Sequence, residues 1–223
     1  VDLPGLSDIE DAYYFRWRIF HRHLINTPQG FVVTEFMPQV PWAGKFNTTP
    51  DAAGHHIMEG RWTHNASLID DYLSIFFAHG PPETAWRSYT AWFAYAAWER
   101  HLVRGDAQSK DFVGGLFPAL VENLRAWNAT HRSSYGGRWC WWQSDGLDAM
   151  EVSISGSGCR PTINSVMWGE ATALLNIAAM IDEDNATLLG ELKTLQSQAR
   201  SVVLDQLWDP QLSSFAVVSL PAP

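Results

Sequence analysis

The residues best placed to do chemistry cluster in one stretch, Trp139 to Ser165. It carries three carboxylates (Asp145, Asp148, Glu151), followed by Arg160 and Asn164, with Trp139, Trp141 and Trp142 at its start. Carboxylates can give or take protons, and Arg and Asn can hold polar groups in register. The stretch is too rich in Gly and Ser for a helix or a central strand, and helical sequence flanks it on both sides. A polar and aromatic loop on a helical scaffold is where function concentrates. The bland alternative is a long solvated loop with incidental acids.

A second concentration lies at residues 41–62. It holds Trp42, Lys45, Asn47, His55, His56, Glu59, Arg61 and Trp62. Donors, acceptors and flat rings of this kind suit sugar hydroxyls and the apolar faces of sugar rings. Adjacent His55 and His56 diverge, so a shared metal ion is not expected. This stretch reads as irregular; the alternative is a structural loop whose polar groups satisfy one another.

The elements that must position these residues are mostly long helices. Ser7 to Ile25 reads as a helix with Ser7 as cap, Glu10 completing a capping box, and a stripe of Tyr13, Trp17, Phe20 and Leu24 facing the core. Residues 31–37 form a short β-like run. Helices are expected over Asn65–Ala78, with Asp70 and Asp71 solvated, and over Glu83–Val103, aromatic on most faces and closed by Gly105. Further helices follow: Lys110–Thr130 with Ser109 as a cap, Thr162–Asp182, and Ala186–Leu207. Successive helix pairs joined by short turns suggest a bundle or toroid. No fixed-period repeat points to a regular solenoid.

Composition narrows the function classes. At 223 residues a single domain is the default. The formal charge of −9 argues against a nucleic-acid partner, which needs basic surface. No apolar run reaches the roughly 20 residues needed to cross a bilayer. Twelve Trp tilt the reading toward carbohydrate. The two cysteines, Cys140 and Cys159, both sit in the central loop. They either staple its ends in an oxidising compartment or stay as buried thiols. They do not make a zinc site. Asn47, Asn65, Asn128 and Asn185 each begin an Asn-x-Ser/Thr acceptor, which leans toward a secreted glycoprotein, with Asn47 the least suited to carry a glycan.

The run Asp145-Gly-Leu-Asp-Ala-Met-Glu-Val-Ser, followed by Gly-Cys-Arg-Pro-Thr-Ile-Asn-Ser, resembles the acid-bearing segment of six-hairpin glycosidases. These are the (α/α)6 toroids related to processing α-glucosidase I and mannosylglycerate hydrolase. Trp42-Ala-Gly-Lys-Phe-Asn and Gly-His-His-Ile-Met-Glu-Gly-Arg-Trp are similar to an earlier substrate loop of that group. The resemblance implies an all-α toroid with short β segments in its loops, a carbohydrate substrate, and no cofactor or metal. It places Glu151 at the general-acid position, where better-known relatives have Asp, with Asp148 as its rival. Trp42, Lys45, Asn47, His55, His56, Glu59, Arg61, Trp62, Trp142, Asp145, Arg160 and Asn164 then contact substrate.

The same resemblance implies inversion, which needs a second carboxylate as base. Relatives carry it in their last hairpins. The chain offers only about half the helices of a full toroid, so the expected domain, 1–223, is incomplete at its C-terminus, and the missing part of the toroid is a potential partner. Glu59 is the candidate base if the chain is complete. The competing functions are a non-catalytic carbohydrate-binding or assembly module and, less well supported, a lyase or cyclase on a similar scaffold; Asp182-Glu-Asp184 is a poor metal motif.

Overall fold

The computed structural model describes residues 1–223 except 1, 3, 42, 44, 79–86, 136, 148–155 and 220–221. Its scaffold is three αα-hairpins. The first pairs α2 (Pro50–Gly60) with α3 (Ser67–Ala78), and the second α4 (Phe93–Arg104) with α5 (Ala107–His131). The third pairs α6 (Pro161–Met180) with α7 (Ala186–Ser201), which runs on into a π-helical turn over Val202–Gln206. Helices α2, α4 and α6 pack in succession as an inner layer, and α3, α5 and α7 lie outside them. This is the expected all-α, toroid-like arrangement of helical hairpins, and it is a partial one. Before the hairpins come α1 (Ser7–His23) and an antiparallel pair, β1 (Leu24–Thr27) with β2 (Gly30–Val33). The remaining strands are β3 (Arg132–Tyr135), β4 (Arg138–Gln143) and β5 (Gly158–Cys159) in one small sheet, and β6 (Trp208–Asp209) with β7 (Ser214–Phe215).

The long apolar periodicities of α5, α6 and α7 fold as expected. Their buried faces, among them Leu120, Leu124, Trp127, Leu174, Ile177, Leu192 and Leu195, form one contiguous core with Ile69, Tyr72, Leu73 and Phe76 of α3. Caps come from Asp106, whose carboxylate accepts from Ser109 N at 2.8 Å, and from Asn185, which accepts from Leu188 N at 3.1 Å. Ser109 is therefore the capped residue and not the cap.

Other expectations are corrected. Residues 50–60 are helix, not loop. Pro50 occupies the first turn, where its missing N–H does no harm. The two glycines that suggest a loop are close-approach residues. A Cβ on Gly54 would lie 2.5 Å from the Trp92 ring, and one on Gly60 would lie 2.3 Å from Ile69. Of the helix expected over Glu83–Val103, residues 83–86 lie outside the described residues, and helix α4 starts at Phe93. Residues 87–92 are non-helical because their backbone is bonded elsewhere: Thr90 N donates to Leu147 O at 2.9 Å, and Ser88 O accepts from the Gln143 amide. Helix α1 ends at His23, and Ser7 is its first residue; Leu6 precedes it with no side-chain cap. Of its stripe, Phe20 is buried, Trp17 and Leu24 pack partly buried against the core, and Tyr13 is exposed; Tyr14, Phe15 and Ile19, off the stripe, are exposed as well.

Asp70 and Asp71 are not solvated. Asp71 accepts from Phe31 N at 3.1 Å and so fastens β2 over α3. Asp70 meets Arg100 of α4 at 3.1 Å in a buried ion pair between neighbouring hairpins. Helix α4 also lacks a local N-cap. The α6 residue Glu170 supplies one, accepting from Ala94 N at 3.0 Å and Tyr95 N at 2.9 Å. Burial pushes the Glu170 carboxyl up to about 7, against the pull of these backbone N–H donors.

Candidate functional site

Each hairpin turns within a few residues, whereas the connections that precede the inner helices are long: 34–49 before α2, 79–92 before α4 and 132–160 before α6. The second and third of these connections meet beside α2. Thr90 and Ser88 bond the 143–147 segment, and His55, in the second turn of α2, places its ring edge-on to Trp92 at 5.0 Å. The starts of α2 and α4 therefore lie side by side, and the 143–147 part of the carboxylate-bearing connection lies with them.

That connection is held at both ends. Cys140 and Cys159 form a disulfide with a Cα–Cα distance of 5.7 Å, so the staple alternative is the one realised. β4 and β5 pair beside it, Trp142 with Cys159 and Gln143 with Gly158. The Gln143 amide donates to Leu147 O at 2.9 Å. Arg160, 3% exposed, ion-pairs with Asp145 at 3.0 Å and donates to Gly156 O across the neck of the loop. Both candidate acids, Glu151 and Asp148, lie outside the described residues, as do Trp42 and the Lys45 side chain. Half-buried Trp142 packs on the disulfide cluster at the same neck.

Two expected substrate contacts have structural work instead. Asn164 is fully buried; its Nδ2 donates to Trp141 O at 2.9 Å and Arg160 O at 2.8 Å, and its Oδ1 accepts from Trp141 N at 3.0 Å. It fastens β4 to α6. Asn47, 5% exposed, donates to Phe36 O and accepts from Val40 N at 3.2 Å. It clamps a turn in which Phe46 (φ 63°) and Asn47 itself (φ 59°) are both left-handed, a conformation that needs such support. This turn borders a cavity of about 600 Å³ lined by Phe36, Met37, Phe46 and Asn47.

The residues read together at 41–62 separate along α2. His55 and His56 lie in its middle. Glu59 and Trp62 lie at its far end; Asp51 and Glu59 are about 12 Å apart along the helix axis. Glu59 is held by Arg16 through two contacts of 3.1 Å, and Arg61 is paired with Glu99 of α4 at 3.2 Å. Neither is brought to the loop end, and the candidate base Glu59 is occupied by Arg16.

Sequence reasoning missed Glu35, Asp51, Tyr72 and Trp92, which tertiary packing gathers around the two histidines. His56 Nδ1 bonds Tyr72 Oη at 3.1 Å, and its Nε2 stands 3.5 Å from Glu35 Oε2. Burial, with His23 and His55 nearby, holds the His56 imidazole down to about 4. The contact with Glu35 is thus between a neutral ring and a carboxyl group whose own pKa is raised by burial and by Asp51. Buried Tyr72 is raised by burial and the same carboxylates.

The sign of the His56 effect follows. In the unfolded chain this imidazole takes up a proton near 6.5, and in the folded protein only near 4. Its contribution is present above 6.5 and is lost as pH falls through the interval, about 3 kcal/mol at full extent. The raised Glu35 works in the opposite direction and trims it. We expect denaturant midpoints to fall between pH 6.5 and 4.5, and His56→Asn to flatten that slope. An unchanged slope in the variant would assign the pH dependence to other groups.

Among the described residues no group of three His, Cys, Asp or Glu side chains could hold a metal ion, and no helix is long and apolar enough to cross a membrane. The family model for the mannosylglycerate hydrolase MGH1-like glycoside hydrolase domain matches residues 45–222. A solved structure titled "Sialidase" is similar at a TM-score of 0.84 and 31% identity, over 93% of this chain. This chain spans 19% of the length of that one. No curated protein matches the chain.

Proposed function

The chain belongs to the mannosylglycerate hydrolase MGH1-like glycoside hydrolase domain family, and from that premise we propose that it carries the acid-bearing part of an inverting glycoside hydrolase. The observation that supports this most is that the connections before α4 and α6 bond each other beside the second turn of α2. Loops carried on a rigid helical frame are where binding and catalytic residues concentrate. The connection that carries the acids is stapled there by Cys140–Cys159 and by Arg160–Asp145.

In this reading Glu151, with Asp148 as rival, protonates the leaving glycosidic oxygen. Near neutral pH its pKa must be raised by burial or by another carboxylate. The Asp145–Arg160 pair positions the segment and does not itself transfer the proton. Trp42, Lys45, His55 and Trp142, joined by Asp51 and Trp92, surround the sugar. Inversion needs a base carboxylate about 6.5–9.5 Å from the acid, with a water between. Glu59 does not serve, because Arg16 holds it at the far end of α2; the base comes from the remainder of the toroid.

The protein is also proposed to be a glycoprotein of the secretory pathway. The disulfide supports an oxidising compartment. The acceptors at Asn65 and Asn185 are exposed, while buried Asn47 is not available. The test of mechanism is the anomer first released from an aryl glycoside by the full-length protein, read by proton NMR. The reading expects the anomer opposite to that of the substrate; release of the same anomer would overturn inversion.

A further inference from the structure

The far end of α2 carries a site that the hydrolytic reading does not use. A cavity of about 470 Å³ opens there between α1 and α2, lined by Tyr13, Arg16, Trp17, Glu59 and Trp62. Trp62 is 60% exposed, an unusual position for the largest apolar side chain. Its ring is not loose: the Arg61 guanidinium lies 5.2 Å from its centroid, and Glu99 in turn fixes Arg61. Across the hollow, Trp17 is locked edge-to-face against buried Phe20 at 5.6 Å, and Tyr13 packs edge-on to Trp17 at 6.2 Å. At the edge of the hollow stands the Arg16–Glu59 pair, joined in a two-point contact. A second hollow, of about 350 Å³, continues past that pair toward Glu35 and His56.

We infer that this hollow is a second carbohydrate-binding site, separate from the acid-bearing end, and that it takes a soluble oligosaccharide. Flat aromatic faces stack on the C–H faces of a pyranose, and a guanidinium beside a carboxylate offers both donors and acceptors to neighbouring hydroxyls. Neither nucleotides nor anionic lipids fit as well, since among the described lining residues the one cation, Arg16, is already paired with Glu59. The site lies two helical turns from Asp51, so an extended glycan held here leaves the loop end free.

The test is a glycan array of gluco-, manno-, rhamno- and arabino-oligosaccharides probed with the whole protein, followed by titration of the best ligand. Arg16 and Trp62 are surface side chains, so their substitution leaves the fold within about 0.5 kcal/mol; thermal melts check this. Trp62→Ala and Arg16→Ala are each expected to weaken binding tenfold or more, whereas Asp51→Ala reports on binding at the loop end instead. An array without any bound saccharide, equal binding by Trp62→Ala, or a loss confined to Asp51→Ala would each overturn the site. None of these outcomes depends on hydrolysis, so they are distinguishable from failure of the catalytic reading.

Discussion

Asp70→Ala is expected to destabilise the protein by about 3–5 kcal/mol, more than any surface substitution. Arg100 is 1% exposed, and its Nε and Nη1 meet no acceptor among the described residues. Asp70, on the adjacent outer helix, is its counter-charge at 3.1 Å. Removing the carboxylate leaves a guanidinium buried without compensation. The pKa directions of the two partners carry a second lesson. Burial raises Asp70 and lowers Arg100, each toward its neutral form, and in each the mutual attraction is the smaller effect. Desolvation therefore outweighs the attraction, and the pair is not a net source of stability relative to a well-packed apolar pair. The double variant Asp70→Leu/Arg100→Leu is accordingly expected to recover most of what Asp70→Ala loses. Urea denaturation of the wild type, single and double variants measures both. A single-variant loss under 0.5 kcal/mol would show that water reaches the guanidinium.

Much of the scaffold is legible from one-dimensional patterns because α5, α6 and α7 bury broad apolar stripes at helical spacing. The pattern failed where tertiary contacts set the local structure. Gly54 and Gly60 look like loop signals, yet each lets another element approach α2 closely. The aromatic run before Phe93 looks helical, yet its backbone groups at Ser88 and Thr90 are bonded by the stapled loop. Tyr14, Phe15 and Ile19 of α1 lie off its stripe, and their apolar character does not say whether another element covers them.

The site shows the same division. Residue type singled out Asp145 and Arg160, and they do meet. The neighbouring Asn164 has the same polar character but spends its amide on Trp141 and Arg160. Glu35, Tyr72 and Glu170 carried no local signal, because their partners stand far away in sequence: His56 for the first two, and the first turn of α4 for Glu170. The cysteine pairing was open because two cysteines with this spacing serve equally well as thiols; backbone pairing of β4 with β5 decides it.

Glu151→Gln is expected to lower turnover by about 10²–10⁴-fold without unfolding the protein. The amide keeps the shape of the carboxyl and removes its proton. The loss falls on protonation of the leaving oxygen, so it scales with how much the leaving group needs that proton. The direct measurement pairs two aryl glycosides in the full-length protein, one with a strongly acidic phenol and one with a weakly acidic phenol. For Glu151→Gln, kcat/KM is expected to collapse on the weakly acidic leaving group and to fall far less on the acidic one, with Asp148→Asn much milder on both. Full activity of Glu151→Gln on the weakly acidic leaving group would contradict the assignment, and the same leaving-group pattern in Asp148→Asn would move the acid one helical turn's worth of sequence earlier.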